Sequence, residues 1–169
     1  MAKGSGKAGG RLMRAALQYL RRANKRNRPG RMTAHSRDHV FLGHERPGMA
    51  SGSGYHYRPG GQDFPGRRLK PGTIRRDPQT RAYTAQPEYF DPTVNPPAGT
   101  WKPKGGNQGV SSFFPDHWTP AEVDAAISGA FRNAQRLPNG TWRGTYRNLT
   151  IEGYYHPQTG ALKHGWPVV

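Results

Sequence analysis

Glycine and proline break this chain into short pieces. It carries 23 glycines and 16 prolines in 169 residues, and the stretch from Gly43 to Gly61 (GHERPGMASGSGYHYRPGG) is especially rich in glycine. Proline removes a backbone donor and glycine adds backbone entropy, so neither supports a long regular element. Hydrophobic residues make up only 33%. Together these predict one small core joined by long irregular connections. There is no cysteine, which excludes both a disulfide framework and thiolate metal sites.

The elements that escape this punctuation lie at the two ends. Residues 1–10 (MAKGSGKAGG) read as a flexible leader. Arg11 to Lys25 is predicted to be a basic amphipathic helix, with Leu12, Ala15, Ala16, Leu17, Tyr19 and Leu20 on its apolar side. Such a helix suits a membrane surface or nucleic acid. Packing its leucines on the domain is the simpler use. Asn27 to Arg31 stops it, and Thr33 to Leu42 is predicted as a second, short helix carrying His35 and His39. Strand-like pieces follow around Thr73–Arg76, Ala82–Tyr89 and Thr100–Lys104, each bounded by Pro or Gly. The strongest local signal is the helix starting at Pro120. Thr119 is a natural N-cap, Glu122 completes a capping box, and Val123, Ala126, Ile127, Ala130 and Phe131 form one stripe down to about Gln135. Three strands end the chain, Thr141–Arg147, Leu149–His156 and Ala161–Val168. Alternation in the middle one sets Leu149, Ile151, Gly153 and Tyr155 against Thr150, Glu152, Tyr154 and His156. The expected class is α+β, helices first and an antiparallel sheet last.

Net charge is +16, unevenly spread. Residues 1–37 hold eleven Lys/Arg and no acid, whereas residues 38–169 hold fifteen against ten acids. Such charge favours a polyanionic partner, since each neutralised phosphate releases counterions. A solvated basic arm is the plainer reading of the first 37 residues. No apolar run approaches a membrane span, and no signal peptide is visible. The expected organisation is a basic leader and helix over 1–36 and one folded domain over 37–169.

Seven histidines, at 35, 39, 44, 56, 117, 156 and 164, are the candidate proton carriers. RNA cleavage needs a base for the 2′-OH, an acid for the departing 5′-oxygen, and a donor or cation for the phosphoryl oxygens. Two histidines and a lysine suffice, without metal. No HExxH, Walker loop, GxSxG or cysteine nucleophile occurs, and His35 and His39, four apart, have no obvious third ligand.

His39-Val40-Phe41-Leu42-Gly43 followed by Gly54-Tyr55-His56-Tyr57-Arg58-Pro59 resembles the two-histidine signature of the EndoU nucleases. Trp101-Lys102-Pro103-Lys104, then Ser111-Ser112-Phe113-Phe114-Pro115-Asp116-His117-Trp118, is similar to the bacterial, polymorphic-toxin branch, as are Thr141-Trp142-x-Gly144 and Thr150-Ile151-Glu152-Gly153. The resemblance covers about residues 39–169. It implies an EndoU, barnase-like nuclease core and cleavage by 2′-OH transesterification to a 2′,3′-cyclic phosphate. His39 and His56 would be the acid and base, in an order the sequence leaves open. Lys104 would be the catalytic lysine, with Lys102 the alternative and otherwise a substrate contact alongside Ser112, His164 and Trp166. The family often ends in Thr-x-Tyr-Pro. Here His164-Gly165-Trp166-Pro167 stands instead, which loses a phenol but keeps a ring for base stacking.

No cofactor is required on this reading, and manganese stimulation stays open. The implied partners are RNA (tRNA or other single-stranded regions) and an acidic cognate immunity protein. The implied setting is a secreted effector, as in contact-dependent inhibition, delivered into the cytoplasm of a target bacterial cell. Each residue also has a plain reading. His39 suits a helix surface, Lys104 a solvated position beside glycines, His156 a turn, and Trp142, Tyr154 and Tyr155 the core or a sheet face. Two rival functions remain: a non-catalytic basic RNA-binding protein, which would not need paired histidines, and a DNase, which would need a metal cluster or His-Asn-His arrangement.

Overall fold

The computed structural model describes residues 5–169, with side chains from Gly10 onward. Helix α1 spans Ser5–Ala23, earlier in its start than the sequence predicts. The first four residues of the expected leader lie outside the described residues. Ala16 and Leu20 are buried, and Met13 and Leu17 pack against the core. These four fall at i, i+3, i+4 and i+7, one helix face. So α1 lays its apolar side on the domain and turns its arginines outward.

Helix α2, Ala34–Phe41, is capped by Thr33, whose hydroxyl accepts from the Ser36 amide at 3.2 Å. Its buried Arg37 holds the helices together. The guanidinium donates to Asp124 at 3.0 Å, to the Asn24 side chain at 2.9 Å and to the Met32 carbonyl at 2.9 Å. Tyr19 Oη of α1 also donates to Asp124, at 2.5 Å. The boundary expected at residue 36 therefore needs correction. It cuts through α2, and α1 is tied to the body by buried polar contacts as well as by apolar packing.

Among the described residues ten short strands form three antiparallel sheets. One has the order β2 (Arg75–Arg76), β3 (Tyr83–Ala85), β6 (Ser111–Phe113). A second has the order β1 (Arg67–Leu69), β4 (Pro87–Asp91), β5 (Thr100–Pro103). The piece expected over Ala82–Tyr89 is split at Gln86, and its halves serve different sheets. Pro87, which cannot donate, opens the second half. The third sheet is the expected meander, β8 (Thr141–Tyr146), β9 (Leu149–Tyr155) and β10 (Leu162–Pro167), edged by β7 (Gln135–Arg136).

Helix α3, Pro120–Arg132, has the reciprocal capping box that its sequence specifies. Val123, Ala126, Ile127, Ala130 and Phe131 are all buried, together with Trp142, Leu149 and Ile151 of the meander. The helix stops at Arg132, short of the expected Gln135, because Gln135 and Arg136 pair instead with Arg143 and Trp142 as β7. The architecture is α+β, with α3 packed on the four-stranded sheet and the cleft at that sheet's β10 edge.

Candidate active site

The end of α2 positions the first histidine and the loop that carries the second. The last turn of a helix leaves carbonyls without intrahelical partners. Here the Tyr55 amide donates to the His39 carbonyl at 2.9 Å, and the His56 amide donates to the Val40 carbonyl at 2.6 Å. The same backbone that satisfies the helix end thus brings His56 beside His39. Gly54 makes this approach feasible: a Cβ there would lie 2.2 Å from the His39 carbonyl oxygen, and its φ is +72°. The two imidazole centroids are 6.3 Å apart.

The glycine-rich loop also carries the lysine to the site. The Gly52 amide donates to the Pro103 carbonyl at 2.9 Å, and the Gly105 amide donates to the Gly52 carbonyl at 2.8 Å. Lys104 is fixed between these two bonds. Its side chain lines a cleft of about 630 Å³ with His39, His56, Ser112, His164 and Trp166. Six of the seven site residues expected from sequence therefore meet in one place.

Lys102 is the exception. Its ammonium donates to Glu45 at 2.6 Å, to the Arg46 carbonyl at 2.7 Å and to Asp91 at 3.1 Å. It is buried, and it does not line the cleft. Its expected role as a substrate contact is therefore replaced by a structural one. Burial opposes its charge, but Glu45 and Asp91 outweigh that and raise its pKa.

The tautomer of His56 follows from its neighbours. Nδ1 lies 2.7 Å from the Ser112 carbonyl oxygen, which can only accept, so Nδ1 carries the proton. Ser111 Oγ, which donates to the Tyr55 carbonyl at 2.7 Å, sits 3.2 Å from the same nitrogen. Nε2 is left with its lone pair and no protein partner among the described residues. Ser112 thus serves the site through its carbonyl, and Ser111, which the sequence did not single out, orients the ring beside it.

Electrostatics around the cleft keep the imidazoles neutral when it is empty. Burial, then the charge of Lys104, lowers the His56 pKa well below its ordinary value. Burial, then His44 and Lys104, lowers His39 to about 4. Burial, then His39, lowers His164 to about 3. Burial alone lowers Lys104 to about 8, so it remains a cation at neutral pH.

β10 supplies the aromatic wall. Its pairing with β9 shifts register between Leu162 and His164. This irregularity leaves Lys163 outside the ladder and aims His164 and Trp166 at the cleft. His164 stacks on His39 at 4.4 Å, and Trp166 lies 5.9 Å from His56 at an interplanar angle of 23°. Gly153 permits the close strand approach, since a Cβ there would lie 1.9 Å from the His164 carbonyl oxygen. Tyr154, 44% exposed, stands 5.5 Å from Trp166 and also lines the cleft. The alternation along β9 places Tyr154 on the sheet face opposite Ile151. Only the pairing with His164 shows that this face borders the site. Among the described residues no group of three or more His, Cys, Asp or Glu side chains is arranged to hold a metal ion.

Two histidines and a lysine converging on an aromatic-walled cleft can move two protons and stabilise an anionic phosphorane. Comparison with curated proteins and with solved structures returns no match. The family model of the bacterial EndoU nucleases matches residues 33–168. That span includes both histidines, Lys104 and the whole meander, so the chain belongs to the bacterial EndoU nuclease family and is an endoribonuclease.

Proposed function

We propose that this nuclease cleaves RNA by intramolecular transesterification with His56 as base and His39 as acid. The observation that carries the reading is the apposition of the two imidazoles across Gly54, with Lys104 in the same cleft. His56 Nε2, bare because Nδ1 is bonded to the Ser112 carbonyl, takes the proton of the 2′-OH. O2′ then bonds to phosphorus while the P–O5′ bond breaks. The His39 imidazolium gives its proton to O5′. The products are a 2′,3′-cyclic phosphate and a free 5′-OH, and proton exchange with water resets both rings. An arriving phosphate favours the imidazolium of His39 and so counters the burial that depresses it. The Lys104 ammonium stabilises charge on the non-bridging oxygens. Trp166 and Tyr154 offer stacking surface to a base. Acid, base and cation all come from side chains, which supports a reaction that requires no metal.

The biological reading is an RNA-cleaving toxin domain delivered into a target bacterial cell. It is supported by the likeness to the polymorphic-toxin branch and by a net charge of +16, which suits an RNA substrate and an acidic immunity protein that covers the cleft. No described helix is long and apolar enough to cross a membrane.

The test is cleavage of a total tRNA pool and a uridine-containing single-stranded oligonucleotide in EDTA, by the wild type and by His56→Ala. Cyclic phosphate ends from the wild type and none from the variant are expected. Binding without cleavage by the wild type would instead favour a basic RNA-binding protein.

A further inference from the structure

A second hollow, of about 520 Å³, adjoins the cleft. His39, Ser53, Gly105 and His164 line both. The stacked His39–His164 pair is therefore a partition between two lobes of one groove. His56, Lys104 and Trp166 line the first lobe only, while His35, His44, Arg46, Met49 and Lys163 line the second only.

The second lobe has an aromatic floor and an unpartnered polar position on His44. The His44 ring stacks on His35 at 4.4 Å and lies 5.3 Å from His39. Its Nε2 is buried and has no partner among the described residues. Buried polar atoms in native proteins are nearly always paired, so this one is a hydrogen-bonding position that a ligand can use. At the rim Met49 is 56% exposed, and the exposed Arg46 and Lys163 have no carboxylate partner among the described residues. Among the described residues the one acid that lines this lobe, Glu45, is already paired with Lys102.

We infer that the second lobe is the subsite for the leaving nucleotide, the one 3′ of the cleaved bond. This rests on the transesterification reading and gives the RNA a direction. The base must face the 2′-OH of the 5′ nucleotide, and His56 belongs to the first lobe. The acid must reach O5′ of the leaving nucleotide, and His39 stands on the partition between the two. The leaving base lies against Met49 and the His35–His44 stack and hydrogen-bonds to His44 Nε2. The next phosphate is held by Arg46 and Lys163.

The test compares two substrates of the intact protein. One is a dinucleotide with a 3′-terminal phosphate, and the other is the same 5′ nucleoside as its 3′-(4-nitrophenyl phosphate), which has no leaving nucleotide. The ratio of their kcat/KM values is read for the wild type, the surface variant Arg46→Ala, and His44→Phe, which keeps the ring stack but removes the polar nitrogen. The ratio is expected to fall about tenfold in each variant, the size of one lost base or phosphate contact. Equal losses on both substrates, or a wild-type ratio that no variant changes, would overturn the subsite while leaving the chemistry intact. A wild type that cuts neither substrate would overturn the chemistry, and the subsite with it.

Discussion

Lys102 and Lys104 stand two residues apart and do opposite work. Lys102 sits where each charge has a partner: its ammonium joins Asp91 and Glu45, and Asp91 also accepts from the Gly48 amide at 2.8 Å. That arrangement clamps the 45–48 loop onto β4 and β5. Lys104 has no carboxylate partner among the described residues and shares its cleft with three histidines. Burial lowers the pKa of Lys104, while ion pairing raises that of Lys102. A paired lysine holds a fold together, whereas an unpaired one beside neutral imidazoles remains available to a phosphate.

The sharpest contrast lies in what removing each charge does. His56→Ala is expected to have the largest effect, a loss of about 10²–10⁴ in kcat, read by gel cleavage of RNA. Lys104→Ala is expected to cost about 10²–10³ in kcat with the melting temperature little changed. Lys102→Ala should do the reverse. It strands two carboxylates, so the melting temperature should drop by about 5 °C or more while each folded molecule still cleaves. If Lys102→Ala instead abolishes cleavage with the fold intact, the assignment of the two lysines is reversed.

The pH dependence sharpens the same comparison. Lys104 is protonated below about 8, so its cation is present at neutral pH and lost as pH rises through that value. The alkaline limb of the kcat/KM profile should therefore fall near pH 8 and move upward in Lys104→Arg, whose charge persists. A smaller effect is expected from Trp166→Ala, about tenfold in kcat/KM, through lost base stacking. The smallest is on stability. His39 and His164 have folded pKa values near 4 and 3, below the ordinary 6.5. The unfolded chain thus binds more protons, and stability is fully present above pH 6.5 and lost as pH falls through the folded values. Thermal melts should drop by roughly 5 °C between pH 6.5 and 4, and less in His164→Phe.

Locally encoded features were legible in the sequence. The Thr119–Glu122 capping box, the α3 stripe and the β9 alternation each follow from near neighbours, and the structure reproduces them. The split at Gln86 was not legible, because a single β-prone run does not say which sheet each half will join. The docking of α1 depends on Asp124, more than a hundred residues distant. The paired histidines were visible only through likeness to a family, since nothing in their spacing says that Gly54 closes a helix end. Tyr154 was placed on the correct kind of surface, but its closeness to Trp166 depends on the register of β10. Ser111 is not legible as a site residue, because the contact that matters beside it, a main-chain carbonyl, belongs to no particular residue type.

The most direct measurement is the leaving-group dependence of the two histidine variants. 4-Nitrophenolate departs without a proton, whereas the 5′-oxygen of RNA requires one. With His39 as acid, His39→Ala should lose about 10³-fold on RNA and no more than about tenfold on a nucleoside 3′-(4-nitrophenyl phosphate), while His56→Ala should fail on both. Equal loss by His39→Ala on the two substrates, or rescue of His56→Ala in its place, would contradict the assignment of acid and base.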